Sequence, residues 1–207
     1  MDDLYHTLKQ SCSSECKIKG SRFIGYATVV SEPEEADHFI RGVTKKHHNA
    51  THACFAYRIG YGDKSVFRYS DAGEPAGTAG RPILDAIDGK KLTNTVCVVI
   101  RYFGGTKLGT GGLARAYSQC SVSTLEKGGV EERYITIPVR IAFHYDLTGA
   151  VMHLVSRFHC QVEDTHYGSE TIMSLTVRRS RVETFKSELV NLSAGKVRFL
   201  EEGNSHR

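Results

Sequence analysis

The residues best suited to chemistry lie between Arg101 and Arg115, where an apolar run leads into a loop with five glycines and then into a helical pattern. Free N–H groups at a helix start, backed by the positive end of the helix dipole, favour an anion, and glycines let a phosphate approach the backbone. Arg101 and Lys107 would supply the neutralising charge. The segment therefore predicts an anion site. Tight backbone packing of the glycines is the alternative.

Two common nucleotide-binding motifs do not fit this segment. A P-loop needs Lys and Ser or Thr directly after its last glycine, but Gly109 is followed by Thr110 and Gly111. The spacing of Gly109, Gly111 and Ala114 matches the loose dinucleotide pattern, yet the parallel βαβ repeats that should surround it are missing. Neither motif assigns a nucleotide, and no cofactor is expected.

A basic strip interleaved with aromatic residues suits nucleic acid, because it offers both charge for phosphates and rings for base stacking. Seven basic and four acidic side chains lie between Arg68 and Arg115. Tyr102 and Phe103 cannot both face one side of a regular strand, so we expect one of them to meet a ligand. The residues predicted to contact an anion or a nucleic acid are Arg68, Arg81, Arg101, Tyr102, Gly104, Gly105, Lys107, Gly109, Gly111, Gly112 and Arg115.

Proton transfer has three candidate residues outside this segment. Asp71 and Glu74 lie in the run SDAGEPAGTAG, where two carboxylates near glycines can act as base and acid or bind a cation. Capping of turns is the alternative for both. His52 enters a strand after a basic turn and could move protons, although histidines beside lysines usually face solvent. We assign no catalytic residue and, since no zinc-type spacing occurs, no metal site.

The pattern of apolar residues predicts a scaffold in two parts, residues 1–134 and 135–207, of the α+β class. The first part alternates strands with helices, one of them capped by Ser31 and another ended by Gly128 and Gly129. The second part follows the order β-α-β-β-α-β of a ferredoxin-like domain, with Asp146 capping its first helix. The strands predicted for the first part cover residues 22–30, 51–59, 65–69 and 95–103, and its helices begin after 31 and cover 81–87 and 112–127.

Composition indicates a soluble globular protein of 207 residues with 40% hydrophobic and 24% charged residues. No apolar run approaches the roughly 20 residues that span a bilayer, and the N-terminus lacks the apolar core of a secretion signal. Six scattered cysteines then indicate reduced thiols, so we expect a cytoplasmic protein without a membrane anchor. The net charge of +4 is mild for a nucleic-acid binder, which makes the distribution of charge decisive.

Three runs resemble the signature of the YigZ/IMPACT family. They are residues 51–58 (THACFAYR), 70–84 (SDAGEPAGTAGRPIL) and 101–109 (RYFGGTKLG), and the match covers residues 20–130. The resemblance implies an N-terminal domain with the fold of the second domain of small-subunit ribosomal protein five. It also implies a C-terminal domain similar to the ferredoxin-like domains of elongation factor G. Where the family has two acids after the serine, this chain has Asp71 and Ala72, which weakens a paired-acid role.

The same resemblance implies association with nucleic acid or the ribosome and no established catalytic residues. Eukaryotic relatives act in translational control by binding an activator of a kinase that phosphorylates an initiation factor. The first hypothesis is therefore a non-enzymatic protein that binds RNA or the ribosome and regulates translation. The second is an enzyme acting on a phosphorylated small molecule or nucleotide held at the glycines, and the third is a protein-interaction adaptor.

Overall fold

The computed structural model describes residues 3–200, which divide into two compact units. The first unit is Tyr5–Arg133, and the second begins at Tyr134 and includes residues 3 and 4. Each unit packs helices on an antiparallel sheet, so the predicted α+β class with two domains is confirmed. Among the described residues, no helix combines the length and the apolar character needed to cross a membrane.

The first unit is built on a five-stranded antiparallel sheet in the order β2-β3-β6-β4-β5 and a two-stranded sheet of β1 and β7. Its strands are β1 (Leu4–Leu8), β2 (Cys12–Ile18), β3 (Ser21–Val29), β4 (His52–Ile59), β5 (Val66–Ser70), β6 (Thr95–Tyr102) and β7 (Val130–Tyr134). Its helices are α1 (Pro33–Lys46), α2 (Gly80–Gly89) and α3 (Thr110–Gly128).

Strand β6 lies at the centre of this sheet and is covered on both faces. Val98 and Ile100 pack in the cluster that α1 completes, whereas Cys97 and Val99 pack against α2 and α3. A strand that is buried on both faces does not alternate apolar and polar residues, which explains the continuous apolar sequence of β6. Two loops lie at the end of the sheet that carries the predicted site residues. We call residues 71–79, between β5 and α2, the acidic loop, and residues 103–109, between β6 and α3, the glycine loop.

The second unit has the sheet order β11-β8-β10-β9, with all neighbours antiparallel. This order belongs to the split βαβ arrangement, and one face of the sheet carries the core formed with both helices. The predicted ferredoxin-like order is thus confirmed. The elements are β8 (Thr136–Phe143), α4 (Thr148–Arg157), β9 (Gln161–Tyr167), β10 (Thr171–Arg178), α5 (Val182–Leu192) and β11 (Arg198–Leu200).

Two predicted helix caps were wrong. Glu32, not Ser31, precedes α1, and the Ser31 N–H donates to Glu35 Oε2 at 2.7 Å. A short 3₁₀ turn before α4 moves the helix start past Asp146, whose carboxylate instead accepts from His144 Nδ1 at 3.0 Å. By contrast, Gly129 ends α3 with a φ of +68°, the conformation that favours glycine after a helix. Strands β1, β2 and β7 were not predicted, because their polar sequences lack an apolar period.

Candidate functional site

Three side chains lie in one row across the end of the central strands. The register pairs Phe23 of β3 with Arg101 of β6, and Arg101 with His52 of β4. Directly opposite residues project from the same face of a sheet, so Arg101 lies between an aromatic ring and an imidazole. Its guanidinium carbon is 5.6 Å from the Phe23 ring centroid, and the residue is only 5% exposed. Arg101 therefore belongs to the interior of the unit.

Glu74 of the acidic loop neutralises Arg101. Arg101 Nη1 donates to Glu74 Oε1 at 2.6 Å, and both side chains are buried. The Tyr117 hydroxyl, from α3, donates to the same oxygen at 2.8 Å. Burial, with Cys54 and Glu74 nearby, raises the pKa of Tyr117, so the hydroxyl keeps the proton that it donates. The Glu74 carboxylate thus links the acidic loop to β6 and α3. A buried charge is tolerated here because an opposite charge and a hydroxyl both hydrogen-bond to it.

His52 lies at the open side of this buried pair. Its Nδ1 is 2.9 Å from the Ala72 carbonyl oxygen and donates to it, while Nε2 lies 3.9 Å from Glu74 Oε2, beyond direct hydrogen-bond reach. The His52 side chain is 20% exposed. Gly73 leaves the ring uncovered, since a Cβ there would lie 3.4 Å from Nδ1. The His52 side chain therefore borders the buried pair and is still reached by solvent.

Asp71 holds the acidic loop together. Its carboxylate accepts the backbone N–H groups of Gly77, Ala79 and Gly80 at 2.8–2.9 Å, at the start of α2. Burial alone would raise the pKa of Asp71, but these three hydrogen bonds outweigh it and lower the pKa. The structure places Asp71 in the capping role and not beside Glu74 as a second acid.

A buried thiol adds another anchor to the acidic loop. Cys54 Sγ donates to the Asp71 carbonyl oxygen at 3.0 Å, and burial raises the pKa of Cys54 to about 12, which keeps the thiol protonated. The next residue, Ala72, adopts a φ of +44°, a left-handed conformation that costs a non-glycine residue energy. The Ala72 carbonyl accepts a hydrogen bond from His52 Nδ1, so a residue of the candidate site holds Ala72 in this strained conformation.

Three glycines of the glycine loop serve the backbone conformation. A Cβ on Gly104 would lie 1.9 Å from the Gly20 carbonyl oxygen, and the Gly104 N–H donates to Ser21 Oγ at 3.2 Å. Gly105 and Gly109 have φ values of +88° and +72°. The tight-packing alternative thus accounts for these positions. The contact between Gly104 and Gly20 also places the turn between β2 and β3 against the glycine loop.

The remaining predicted glycines, Gly111 and Gly112, lie in the first turn of α3, where the sequence has no acid and, among the described residues, no side chain caps the helix. Arg115 folds back towards this turn, since its Nη1 would be 3.8 Å from a Cβ on Gly111. Arg115 and Lys107 are exposed and form no ion pair within residues 3–200. The N–H groups of the turn and the two cations therefore remain available to an anion.

Other predicted cations are already engaged. Arg68 Nη1 lies 3.1 Å from an Asp37 oxygen, and Arg81 Nε lies 2.8 Å from one of Asp85. Together with the buried Arg101, these arginines contribute little free charge. Sequence alone could not reveal this, because the Arg68 and Arg101 partners lie 31 and 27 residues away.

The fold adds to Lys107 five cations that the sequence analysis did not assign to the site. The β2–β3 turn is brought to the glycine loop by the Gly20–Gly104 contact, and the end of α1 is brought there by a 2.9 Å hydrogen bond between His47 Nδ1 and the Tyr102 hydroxyl. These cations come from separate parts of the sequence, so no local pattern links them. We call the group the basic end of the sheet; it consists of Lys17, Lys19, Arg22, Lys45, Lys46 and Lys107.

Of the two neighbouring aromatic residues, Phe103 is the one that solvent reaches. Tyr102 is half-buried and its hydroxyl bonds to His47 and to Asn49 Oδ1. Phe103 is 46% exposed, and its N–H donates to Thr51 Oγ1 at 3.0 Å. Of Tyr102 and Phe103, we therefore expect Phe103 to be the residue that contacts a ligand. No group of three or more His, Cys, Asp or Glu side chains in the described chain could hold a metal ion.

Comparison with known protein families and solved structures identifies relatives of this chain. The Impact N-terminal domain model matches residues 19–125, which carry the candidate site, and a domain of unknown function, DUF1949, matches residues 141–196. A crystal structure described as that of a hypothetical protein covers 99% of this chain and 100% of its own, with a TM-score of 0.71 and 26% sequence identity.

Curated relatives extend the match over nearly the whole chain. IMPACT family member YvyE of Bacillus subtilis is 36% identical over 192 residues, which cover 93% of this chain and 88% of the relative. IMPACT family member YigZ of Escherichia coli is 30% identical over 185 residues, which cover 89% of this chain and 91% of the relative. On these matches, the chain belongs to the IMPACT family.

Proposed function

We propose that the protein binds RNA, free or in the ribosome, through the basic end of the sheet, and that it acts by this binding in the regulation of translation and not as an enzyme. The observation that carries the proposal is the packing of the β2–β3 turn and of the end of α1 against β6 and the glycine loop, which brings the cations of the basic end to the end of the sheet where Phe103 is 46% exposed. Phosphate contacts provide most of the affinity of a nucleic-acid interface, and an exposed ring adds stacking.

The carboxylates near this surface leave the lysines of the basic end unpaired. Glu15 pairs with Arg22 at 2.7 Å, Asp71 is held by backbone amides, and Glu74 is buried against Arg101. The five lysines of the basic end, Lys17, Lys19, Lys45, Lys46 and Lys107, form no ion pair in the part of the chain described. The surface is therefore positive despite the modest net charge of the protein.

Single strands suit this surface better than duplexes. A base must leave its stack to reach Phe103, and unpaired bases do so at little cost. The open first turn of α3, with Arg115 beside it, adds N–H donors for a neighbouring phosphate. A strand that crosses the end of the sheet would then meet lysines, the ring and the helix start in turn.

Fluorescence polarisation with a short labelled RNA, single- or double-stranded, across a salt series tests the proposal. We expect the single strand to bind more tightly and its affinity to fall steeply with salt. The double variant Lys19→Glu/Lys107→Glu should reduce the salt slope by about 1.4, since each phosphate contact on a single strand adds about 0.7.

The matched control is Lys64→Glu, an exposed lysine of the same unit at the opposite end of β4. It should leave both the affinity and the salt slope unchanged. Undetectable binding at low salt, or an equal loss in the control variant, would reject the basic end as an RNA-binding surface.

A further inference from the structure

Two thiols meet where strand β2 packs against helix α3. Alternate residues of a strand share a face, so Cys12, Ser14 and Cys16 project together from β2, while the residues between them are exposed. Both cysteines of this face pack against the buried cluster to which Cys120 of α3 belongs. A thiol of the helix therefore lies on the face that carries two thiols of the edge strand.

The helix approaches the sheet most closely at Gly25 of β3. A Cβ on Gly25 would lie 2.0 Å from Thr124 Oγ1 and 3.3 Å from Cys120 Sγ. Ser14 pairs with Gly25 in the register, and its Oγ is 2.6 Å from the same Thr124 oxygen. The Cys120 sulfur thus lies close to the Ser14–Gly25 pair, and Cys16 is the next residue of β2 on that face.

The thiols of Cys16 and Cys120 form a hydrogen bond with each other. This bond first, and burial second, raise the pKa of Cys120, so Cys120 keeps its proton and is the donor. The same bond lowers the pKa of Cys16 against the opposing effect of burial. Hydrogen-bonded sulfurs are in direct contact, which is the arrangement from which a disulfide forms.

The other four cysteines are held as protonated thiols. Burial raises the pKa of each of them, which are Cys12, Cys54, Cys97 and Cys160. Cys12, on the same face as Cys16, donates to the Thr124 carbonyl oxygen at 3.1 Å. All six cysteines lie within residues 3–200, and of these Cys16 alone has a lowered pKa. Because the thiolate is the form that reacts with an oxidant, the half-buried Cys16 is the thiol that an oxidant should attack first.

From this arrangement we infer that Cys16 and Cys120 form a disulfide when the protein meets hydrogen peroxide, which ties β2 covalently to α3. The Cys16 thiolate attacks one peroxide oxygen and the O–O bond breaks. Cys16 becomes a sulfenic acid, and the hydroxide that leaves takes up the proton lost by the thiol. The Cys120 sulfur then attacks the Cys16 sulfur, the S–O bond breaks, and the hydroxyl leaves as water with the Cys120 proton. The two thiols together lose two electrons, and one peroxide is reduced to two waters. The inference is independent of RNA binding.

Peroxide treatment of the reduced protein, followed by alkylation and peptide mass spectrometry, tests the inference. The wild type should lose two of its six free thiols and give a cross-linked pair of peptides that contain Cys16 and Cys120. Cleavage after Glu15 separates Cys12 from Cys16 and so identifies the thiol involved. Dithiothreitol should restore both thiols.

Three variants assign the roles of the two thiols. Cys16→Ser should abolish the cross-link and leave Cys120 reduced, because the buried thiol does not react first. Cys120→Ala should leave Cys16 as a sulfenic acid, which dimedone traps. Cys12→Ser is the matched control, since it removes a half-buried thiol from the same face of β2, and it should retain the full cross-link.

Alkylation of the reduced wild type at pH 7 gives an independent measurement. Cys16 should react at least about tenfold faster than Cys160, which is also half-buried but has its pKa raised by burial to about 11. Equal rates for the two thiols would overturn Cys16 as the attacking group.

The wild-type products decide the inference even if Cys120→Ala does not fold. A disulfide between Cys16 and Cys12, or one that joins two chains, would overturn the proposed pair. Six free thiols after a peroxide treatment that fully oxidises free cysteine in the same solution would overturn it as well.

Discussion

Arg101 of β6 and Glu74 of the acidic loop form a buried ion pair between residues 27 positions apart, with 2.6 Å between Nη1 and Oε1. The pair is 6% and 3% exposed at its two side chains, so water does not screen it. It sets the position of the acidic loop beside the glycine loop. The pair also fixes the position of Glu74 beside His52.

Breaking the pair from one side should destabilise the first unit strongly. Arg101→Met leaves the Glu74 charge buried without a cation, and we expect the free energy of unfolding to fall by about 3–5 kcal/mol. Urea unfolding followed by circular dichroism measures this. Arg101→Met/Glu74→Leu should recover much of the loss, because it removes both charges together.

The exposed pair of Arg81 and Asp85 is the matched control for that experiment. Both side chains are more than half exposed, so Arg81→Ala should change the free energy of unfolding by no more than about 0.5 kcal/mol. If Arg101→Met were as mild as Arg81→Ala, the buried pair would not hold the acidic loop on β6.

The Arg101–Glu74 pair also marks the limit of prediction from sequence. Local patterns predict the helices, most of the strands and a new domain that begins near residue 134, because apolar periods and glycine stops act within a few residues. Asp71 and Glu74 look alike in the sequence, yet one caps a loop and the other neutralises an arginine. Their partners come from different parts of the chain, so only the tertiary structure separates them.

The basic end of the sheet shows the same limit of prediction from sequence for cations. Arg68 and Arg81 were predicted from a run of basic residues, but acids on α1 and α2 engage them. Lys17 and Lys19 carried no local signal, and nothing in the sequence linked the basic turn at Lys45 to the glycine loop. They reach the glycine loop because the antiparallel sheet brings its turns to one end, a long-range effect that spacing in the sequence does not encode.

The capping role of Asp71 predicts a loss of stability in acid. Its pKa is lowered in the folded state, so its contribution is complete above the unfolded value of about 3.9 and is lost as pH falls through the folded value. Asp71→Asn should lower the free energy of unfolding at pH 7 by about 1–2 kcal/mol. Its difference from wild type should shrink as pH falls below about 4, when measured by urea unfolding. A difference independent of pH would contradict a charged cap.

Gly104 should resist even the smallest side chain. A Cβ there would lie 1.9 Å from the Gly20 carbonyl oxygen, so Gly104→Ala must push the β2–β3 turn away, at a cost of about 1–3 kcal/mol. The control is Gly42→Ala in α1, where no atom lies within 4 Å of the added Cβ. That substitution should raise the stability by about 0.5–1 kcal/mol, because alanine favours a helix. Thermal unfolding should therefore move in opposite directions for the two variants.

His47 should make the first unit less stable as the pH falls. Its ring lies between two tyrosine hydroxyls, 2.8 Å from that of Tyr26 and 2.9 Å from that of Tyr102. Burial first, and then the charges of Lys46 and Arg22, lower the pKa of His47. The folded state thus favours the neutral ring, and its contribution is complete above the unfolded value of about 6.5 and declines as pH falls through the folded value.

His47→Gln removes this titration while it keeps a polar group between the tyrosines. The free energy of unfolding of the wild type should therefore fall between pH 7 and pH 5 by more than that of the variant, as urea unfolding at several pH values would show. His48→Gln, at the exposed neighbouring position, controls for the loss of a histidine as such. A wild-type profile parallel to that of His47→Gln would mean that the ring accepts a proton as readily in the folded state as in the unfolded chain. The two tyrosines would then fix the position of the ring without fixing its charge.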